Sequence, residues 1–136
     1  MVTSADFNDD GWADLAFPIN ENTDGTSVTV LINDRDGGFN MRSAQVRNFP
    51  RSVATGDFDG DSKVDMAVGL GCGSCGFDFV HGNGDGTFAV GVPKLMTLNA
   101  GTVAAGDLNG DGRADLATLQ GNFVTVLLSR NSCPLF

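Results

Sequence analysis

Three stretches of this chain carry side-chain oxygens at one repeated spacing. Asp6, Asn8, Asp10 and Asp14 form the first set, Asp57, Asp59, Asp61 and Asp65 the second, and Asp107, Asn109, Asp111 and Asp115 the third. Each follows D-x-[DN]-x-D-[GS]-x-x-D, which puts the oxygens at positions 1, 3, 5 and 9. On a tightly curled loop these positions can all point at one centre, and Ca2+ takes about six to eight oxygens at about 2.3–2.6 Å. The backbone carbonyls of position 7, from Trp12, Lys63 and Arg113, complete each expected cage. Ten of the 17 acidic residues occupy these positions, and carboxylates packed within a few ångströms repel strongly unless a cation lies among them. Ca2+ is expected rather than Mg2+, which prefers water-rich octahedra to a cage of protein oxygens. Three Ca2+ per chain, each adding two charges, would take the formal charge from −9 to −3.

Asp, Asn and Gly favour turns whatever they bind, so a single loop of this kind would say little. Three copies in phase say more: the first Asp recurs at 6, 57 and 107, steps of 51 and 50. An EF-hand is excluded, because its loop needs a bidentate acid at position 12, where this chain has Phe17, Val68 and Thr118. The same three residues, with β-rich flanks, count against a dockerin-type helical loop. Position 6 suits Gly because the turn favours positive φ; Gly11 and Gly112 comply and Ser62 departs.

The elements that hold these loops repeat with them. Val28–Ile32, Phe77–Val80 and Val124–Leu128 follow the loops in turn as β-branched and apolar runs, each expected to be a strand. The first two are followed by Asp36-Gly37-Gly38-Phe39 and Asp85-Gly86-Thr87-Phe88, where Asp-Gly predicts a tight hairpin turn and Phe the start of the next strand. One unit thus comprises a small-residue strand such as 52–56, the acidic loop, a strand such as 64–69, and a hairpin. Four antiparallel strands in about fifty residues predict an all-β fold of β-propeller blades. Small residues on the first strand suit the crowded axis of such a propeller. About three blades are expected in one repeat domain over 1–136: repeat 1 about 1–49, repeat 2 about 50–99, and repeat 3 about 100–136. The third is expected to be incomplete, since the tail from Ser129 to Phe136 has Pro134 and no Asp-Gly.

Composition narrows the partners. A pI near 4.1 with eight Lys and Arg argues against nucleic acid and anionic membrane surfaces, which need a basic footprint. No apolar run reaches the roughly 18 to 20 residues that span a bilayer, and the N-terminus lacks the basic and apolar regions of a signal peptide. Cys72, Cys75 and Cys133 are odd in number; a turn disulfide within Cys72-Gly73-Ser74-Cys75 is preferred to a redox motif or a zinc half-site, which lacks a second pair. Cys133 is read as a bridge between chains or a plain thiol. His81 is the sole histidine and is assigned no catalytic role. Ser74 lacks the context of a nucleophile elbow. Trp12 is either an exposed binding aromatic or a contact between blades.

Gly56-Asp57-Phe58-Asp59-Gly60-Asp61, Gly106-Asp107-Leu108-Asn109-Gly110-Asp111-Gly112 and the intervening Gly82-Asn83-Gly84-Asp85-Gly86-Thr87-Phe88 resemble the FG-GAP or VCBS repeats of integrin α-subunit propellers and of many bacterial secreted and surface proteins. The resemblance covers nearly the whole chain. It implies a calcium-stabilised propeller, usually of six to eight blades, extracellular or at the cell surface, serving cell adhesion or the recognition of proteins or carbohydrates without catalysis. A lectin binding sugars between blades is one alternative. A small hydrolase is another, disfavoured because filled oxygen cages leave little room for substrate and Ca2+ activates water weakly. Fewer than three complete blades cannot close a ring, so the expected partner is a second copy, giving a six-bladed homodimer, or the remainder of a longer propeller.

Overall fold

The computed structural model describes residues 1–19, 27–47, 49–71, 75–89, 92–94 and 100–129. Among them there is no helix, and the strands form three antiparallel sheets. The first sheet is β1 (Thr3–Ala5), β2 (Asp14–Ile19), β3 (Ser27–Asn33) and β4 (Phe39–Gln45), paired in chain order. The second is β5 (Pro50–Gly56), β6 (Asp65–Leu70), β7 (Phe77–Val80) and β8 (Val92–Lys94), again in order. The third pairs β9 (Thr102–Gly106) with β10 (Asp115–Gln120), and β10 with β11 (Phe123–Leu127). These are the blades of a partial propeller, and among the described residues no ring closes.

Register shows that the repeats are structurally equivalent. Leu31, Val80 and Leu127 lie opposite Leu15, Met66 and Leu116. Each acidic loop is therefore the turn between the first two strands of its sheet. The Asp36-Gly37 turn leads directly to Phe39 at the start of β4, as expected. Asp85-Gly86 does not behave alike. Phe88 makes only an isolated bridge with Gly82, and β8 begins at Val92, because the Phe88 ring packs edge-on against Phe7 of the first sheet, with centroids 5.5 Å apart. The expected loss of a fourth strand in repeat 3 falls largely on residues 130–136, outside the described residues.

Alternation along the strands divides the core between two interfaces. Met66, Val68 and Leu70 of β6 join Ala16, Val28 and Val30 of the first sheet in one cluster. Ala67, on the other face of β6, joins Phe77, Phe79, Val103 and Leu116 in the second cluster. The middle sheet is thus buried on both faces, whereas β11 exposes Phe123, Val124 and Val126. β5 packs against β1 and β2, and β9 against β5 and β6. Small residues permit this approach: a Cβ added at Gly69 would run into the Ala100 carbonyl oxygen, and one at Gly56 into Ala114.

One ionic contact ties the first two sheets. Arg47, just past β4, donates its backbone N–H and its Nε–H to the two carboxylate oxygens of Asp78, each at 2.7 Å, and its guanidinium also donates to the Cys75 carbonyl at 3.2 Å. Asp78 is fully buried on β7, at the position that Thr29 and Thr125 occupy in the other sheets. Removing one partner of a buried pair leaves an uncompensated charge. The Arg47 side chain is itself 35% exposed and alanine keeps the backbone N–H donor, so Arg47→Ala is expected to destabilise the fold by about 1–3 kcal/mol, the cost of one unmet buried acceptor, in a denaturant titration. Adding Asp78→Thr, the residue of the sister repeats, should recover at least half of that loss.

Candidate metal centres

The loops owe their shape to their own carboxylates. The position 1 carboxylate lies over the turn and accepts backbone N–H groups. Asp6 takes those of Asp10 at 3.0 Å and Gly11 at 2.7 Å. Asp57 takes Gly60 at 2.6 Å and Ser62 at 2.9 Å, and Asp107 takes Gly110 at 2.6 Å and Gly112 at 2.9 Å. The Gly112 N–H, with others of the turn, holds the Asp107 carboxyl below the usual carboxylate range. The position 5 carboxylates, Asp10, Asp61 and Asp111, each accept the N–H of position 7, from Trp12, Lys63 and Arg113, at 2.9, 2.9 and 3.0 Å. These are Asx turns. They leave two residues per loop at positive φ: Asp9 and Gly11, Gly60 and Ser62, Gly110 and Gly112.

Position 9 does something the sequence pattern did not reveal. Asp14, Asp65 and Asp115 are fully buried, and both oxygens of each accept a backbone N–H. Asp14 binds Phe7 and Asn33, each at 2.8 Å. Asp65 binds Phe58 at 3.1 Å and Gly82 at 3.0 Å, and Asp115 binds Leu108 at 2.9 Å and Ser129 at 2.8 Å. In every repeat this carboxylate ties position 2 of the loop to the chain leaving the third strand. Burial pushes the Asp65 carboxyl up to about 6, against the pull of its two N–H donors and with the Asp59 charge adding to the rise.

The three loops also differ. In the first, the Asn8 amide nitrogen donates to Asp10 at 2.9 Å, while the Asn8 Oδ1 is buried without a hydrogen-bond partner. In the second, carboxylate oxygens of Asp57, Asp59 and Asp61 lie within 4.8 Å of one another, and a further group combines Asp59, Asp65 and His81. In the third, Asn109 accepts the Asp111 N–H at 2.8 Å and donates to its carboxylate at 3.1 Å. Protein cations sit beside two of the clusters: Arg35 is 3.1 Å from Asp10, and Lys63 is 3.2 Å from Asp61. The Arg113 guanidinium reaches back to donate to the Asp59 carbonyl at 2.6 Å.

The sequence-predicted residues thus fall into two groups. In the second loop the carboxylates of positions 1, 3 and 5 lie together, in the first and third the side chains of positions 3 and 5 meet, and position 9 is in each loop a buried tie. Trp12 is 51% exposed. Cys75 is disulfide-bonded, and Cys72, Ser74 and Cys133 lie outside the described residues. Sequence reasoning missed the partnership of His81 with the second loop. The signal available was that His81 occupies the position of Ile32 and Leu128 in the other repeats.

Comparison with known families finds two matches. A model described as an FG-GAP-like repeat matches residues 6–68, and one described as an FG-GAP repeat matches residues 99–126. All three acidic loops fall inside the matched stretches. A search among curated proteins finds no match.

The buried tie is testable apart from any metal. In excess chelator, Asp14→Ala leaves the N–H groups of Phe7 and Asn33 without acceptors, and a loss of about 2–6 kcal/mol is expected, since each buried orphan donor costs about 1–3 kcal/mol. Asp10→Ala, which removes the acceptor of the exposed Trp12 N–H bond and of the Asn8 amide but of no buried backbone donor, should lower the denaturation midpoint less.

Proposed function

Because the chain belongs to the FG-GAP repeat family, whose repeats occur in integrin-type β-propeller modules for adhesion and recognition, we propose that it is a calcium-stabilised recognition module. Its loops hold Ca2+, and its assembled surface binds a protein or carbohydrate partner outside the cell. Repeats of this family are typically non-enzymatic and extracellular or surface-located, and no helix among the described residues is long and apolar enough to cross a membrane.

The observation that carries the calcium reading is the buried, unpartnered Oδ1 of Asn8 at position 3 of the first loop. A buried acceptor without a donor is costly unless some cation or water meets it. The donor sets fit Ca2+, being wholly oxygen in loops 1 and 3, with Asp6, Asn8 and Asp10 in one and Asp107, Asn109 and Asp111 in the other. Asp57, Asp59 and Asp61 would serve in the second. Asp14, Asp65 and Asp115 each use two of about four lone-pair sites on the backbone, which leaves acceptor capacity for a metal. The carbonyls of Trp12, Lys63 and Arg113 are the further ligands proposed. When bound, the ion supplies positive charge that offsets carboxylate repulsion; it has a structural part and no chemical step.

The same reading extends to assembly. Phe7 and Phe58 occupy position 2 of their loops and are buried by the following sheet, while Leu108 at the same position is 57% exposed. Ala117, Leu119, Val124 and Val126 line the third sheet on the side that the first two sheets bury. A second copy packed head to tail would cover this face and complete six blades.

Two measurements test these statements. Chelation is expected to lower the melting temperature by at least about 5 °C, because a ligand at a hundred times its Kd stabilises by about 2.7 kcal/mol per site. Unchanged melting would refute the calcium reading. Light scattering should give twice the chain mass of 14.1 kDa, and a stable monomer at that mass would refute the dimer.

A further inference from the structure

Two departures from the repeat pattern meet in one place. The second loop alone has a carboxylate at position 3, Asp59, where the others have Asn8 and Asn109. The second sheet alone has a nitrogen donor where its sisters have Ile32 and Leu128, namely His81. These two side chains touch: His81 Nδ1 lies 3.2 Å from Asp59 Oδ2. It also lies 3.6 Å from Asp65 Oδ1, beyond the range of a hydrogen bond, and the ligand atoms of all three residues lie within 4.8 Å of one another.

The geometry points to a transition-metal site of the Zn2+ class at the second loop, with His81 Nδ1, Asp59 and Asp65 as ligands. Zn2+ binds imidazole nitrogen and carboxylate oxygen at about 2.0–2.2 Å in a tetrahedron, so its ligands stand about 3.3–3.6 Å apart. The His81 separations of 3.2 and 3.6 Å match that edge. Ca2+ is a hard ion served by oxygen and gains little from imidazole. This three-residue donor set suits zinc, with a fourth position for water or a ligand group, and zinc bound there would take Asp59 from the Asp57, Asp59 and Asp61 set proposed above for Ca2+.

The frame around the three donors is rigid. The His81 carbonyl accepts the Ala89 N–H at 3.0 Å. A Cβ at Gly82 would run into the Val64 carbonyl oxygen, so the chain beside His81 is pressed against the loop that ends in Asp65. Asp65 is held by its two backbone donors, and one lone pair on Oδ1 remains beyond the bond from Gly82.

This inference rests on the reading of the acidic loops as cation sites, yet the two fail separately. Zn2+ is titrated by calorimetry into untagged protein in excess Ca2+, and the ring protons of the one histidine are followed by NMR. The expected result is one Zn2+ per chain, a shift of the His81 ring resonances with Zn2+ but not with Mg2+, and at least a tenfold weaker affinity in His81→Leu, the residue of repeat 3; removing even a ligand's hydrogen-bond partner costs about 10–100-fold at metal sites. His81→Gln is a second variant should the first fold poorly. No zinc uptake in excess Ca2+, an unmoved His81 ring, or equal affinity in both variants would overturn the proposal and leave an ordinary His81–Asp59 ion pair. Melting of the unmodified protein that ignores Ca2+ while zinc binding at His81 persists would instead sink the calcium reading and leave the zinc result standing.

Discussion

The structure depends on one buried carboxylate per repeat. Asp14, Asp65 and Asp115 each accept two backbone N–H groups, one from the acidic loop and one from the end of the third strand. A charge taken from water is tolerated only where hydrogen bonds replace its hydration, and two well-aligned N–H donors do this while fixing the separation of the segments that supply them. The loop is thereby pinned to its own sheet from below. Its upper side, where positions 1, 3 and 5 gather, can then carry like charges close together without the turn opening.

Stacking is the second constraint, and it follows from the first. With the loop pinned, position 2 is aimed at the next sheet, so Phe7 and Phe58 become part of the packing between sheets. Phe88 from the second sheet meets Phe7, and Phe58 joins Val103 and Leu116 of the third sheet in one cluster. Backbone ties run in the same direction, from Gly86 N–H to the Phe7 carbonyl and from Ala114 N–H to the Asp57 carbonyl. The Ser129 hydroxyl, next to the donor that holds Asp115, reaches the Phe58 carbonyl at 2.7 Å. The first two loops thus support both their own sheet and its neighbour, and Leu108 shows what the arrangement leaves open where no described sheet follows the third.

Much of this was legible in the sequence because it depends on local period. The loop spacing, the strands after each loop and the Asp36-Gly37 hairpin follow from residue type and alternation. What could not be read depends on contact at a distance. Nothing local distinguishes Asp14 as a buried tie from Asp10 as the acceptor of an Asx turn, since both are aspartates in one loop. Asp9 at positive φ breaks a glycine pattern that is clear only once Gly60 and Gly110 are seen to share its conformation. Arg47 and Asp78 are 31 residues apart, and only the stacking of two sheets brings them together. His81 reads as a lone histidine until the hairpin returns it to the second loop.

The N–H bonds also bear on how the loops would take a cation. A carboxylate cluster with no partner would spread, and ordering it would oppose binding. Here the position 1 and position 5 carboxylates are already held by backbone donors, so on the proposed reading little rearrangement accompanies metal uptake. Arg35 and Lys63 sit beside Asp10 and Asp61 with their own side chains about half exposed, and cations so open to water are held weakly and present a small barrier to displacement. The third loop has no such cation among the described residues and relies on Asn109 instead. Three loops of one pattern therefore differ in what already balances their charge, and that difference, more than the ligand count, should order their affinities.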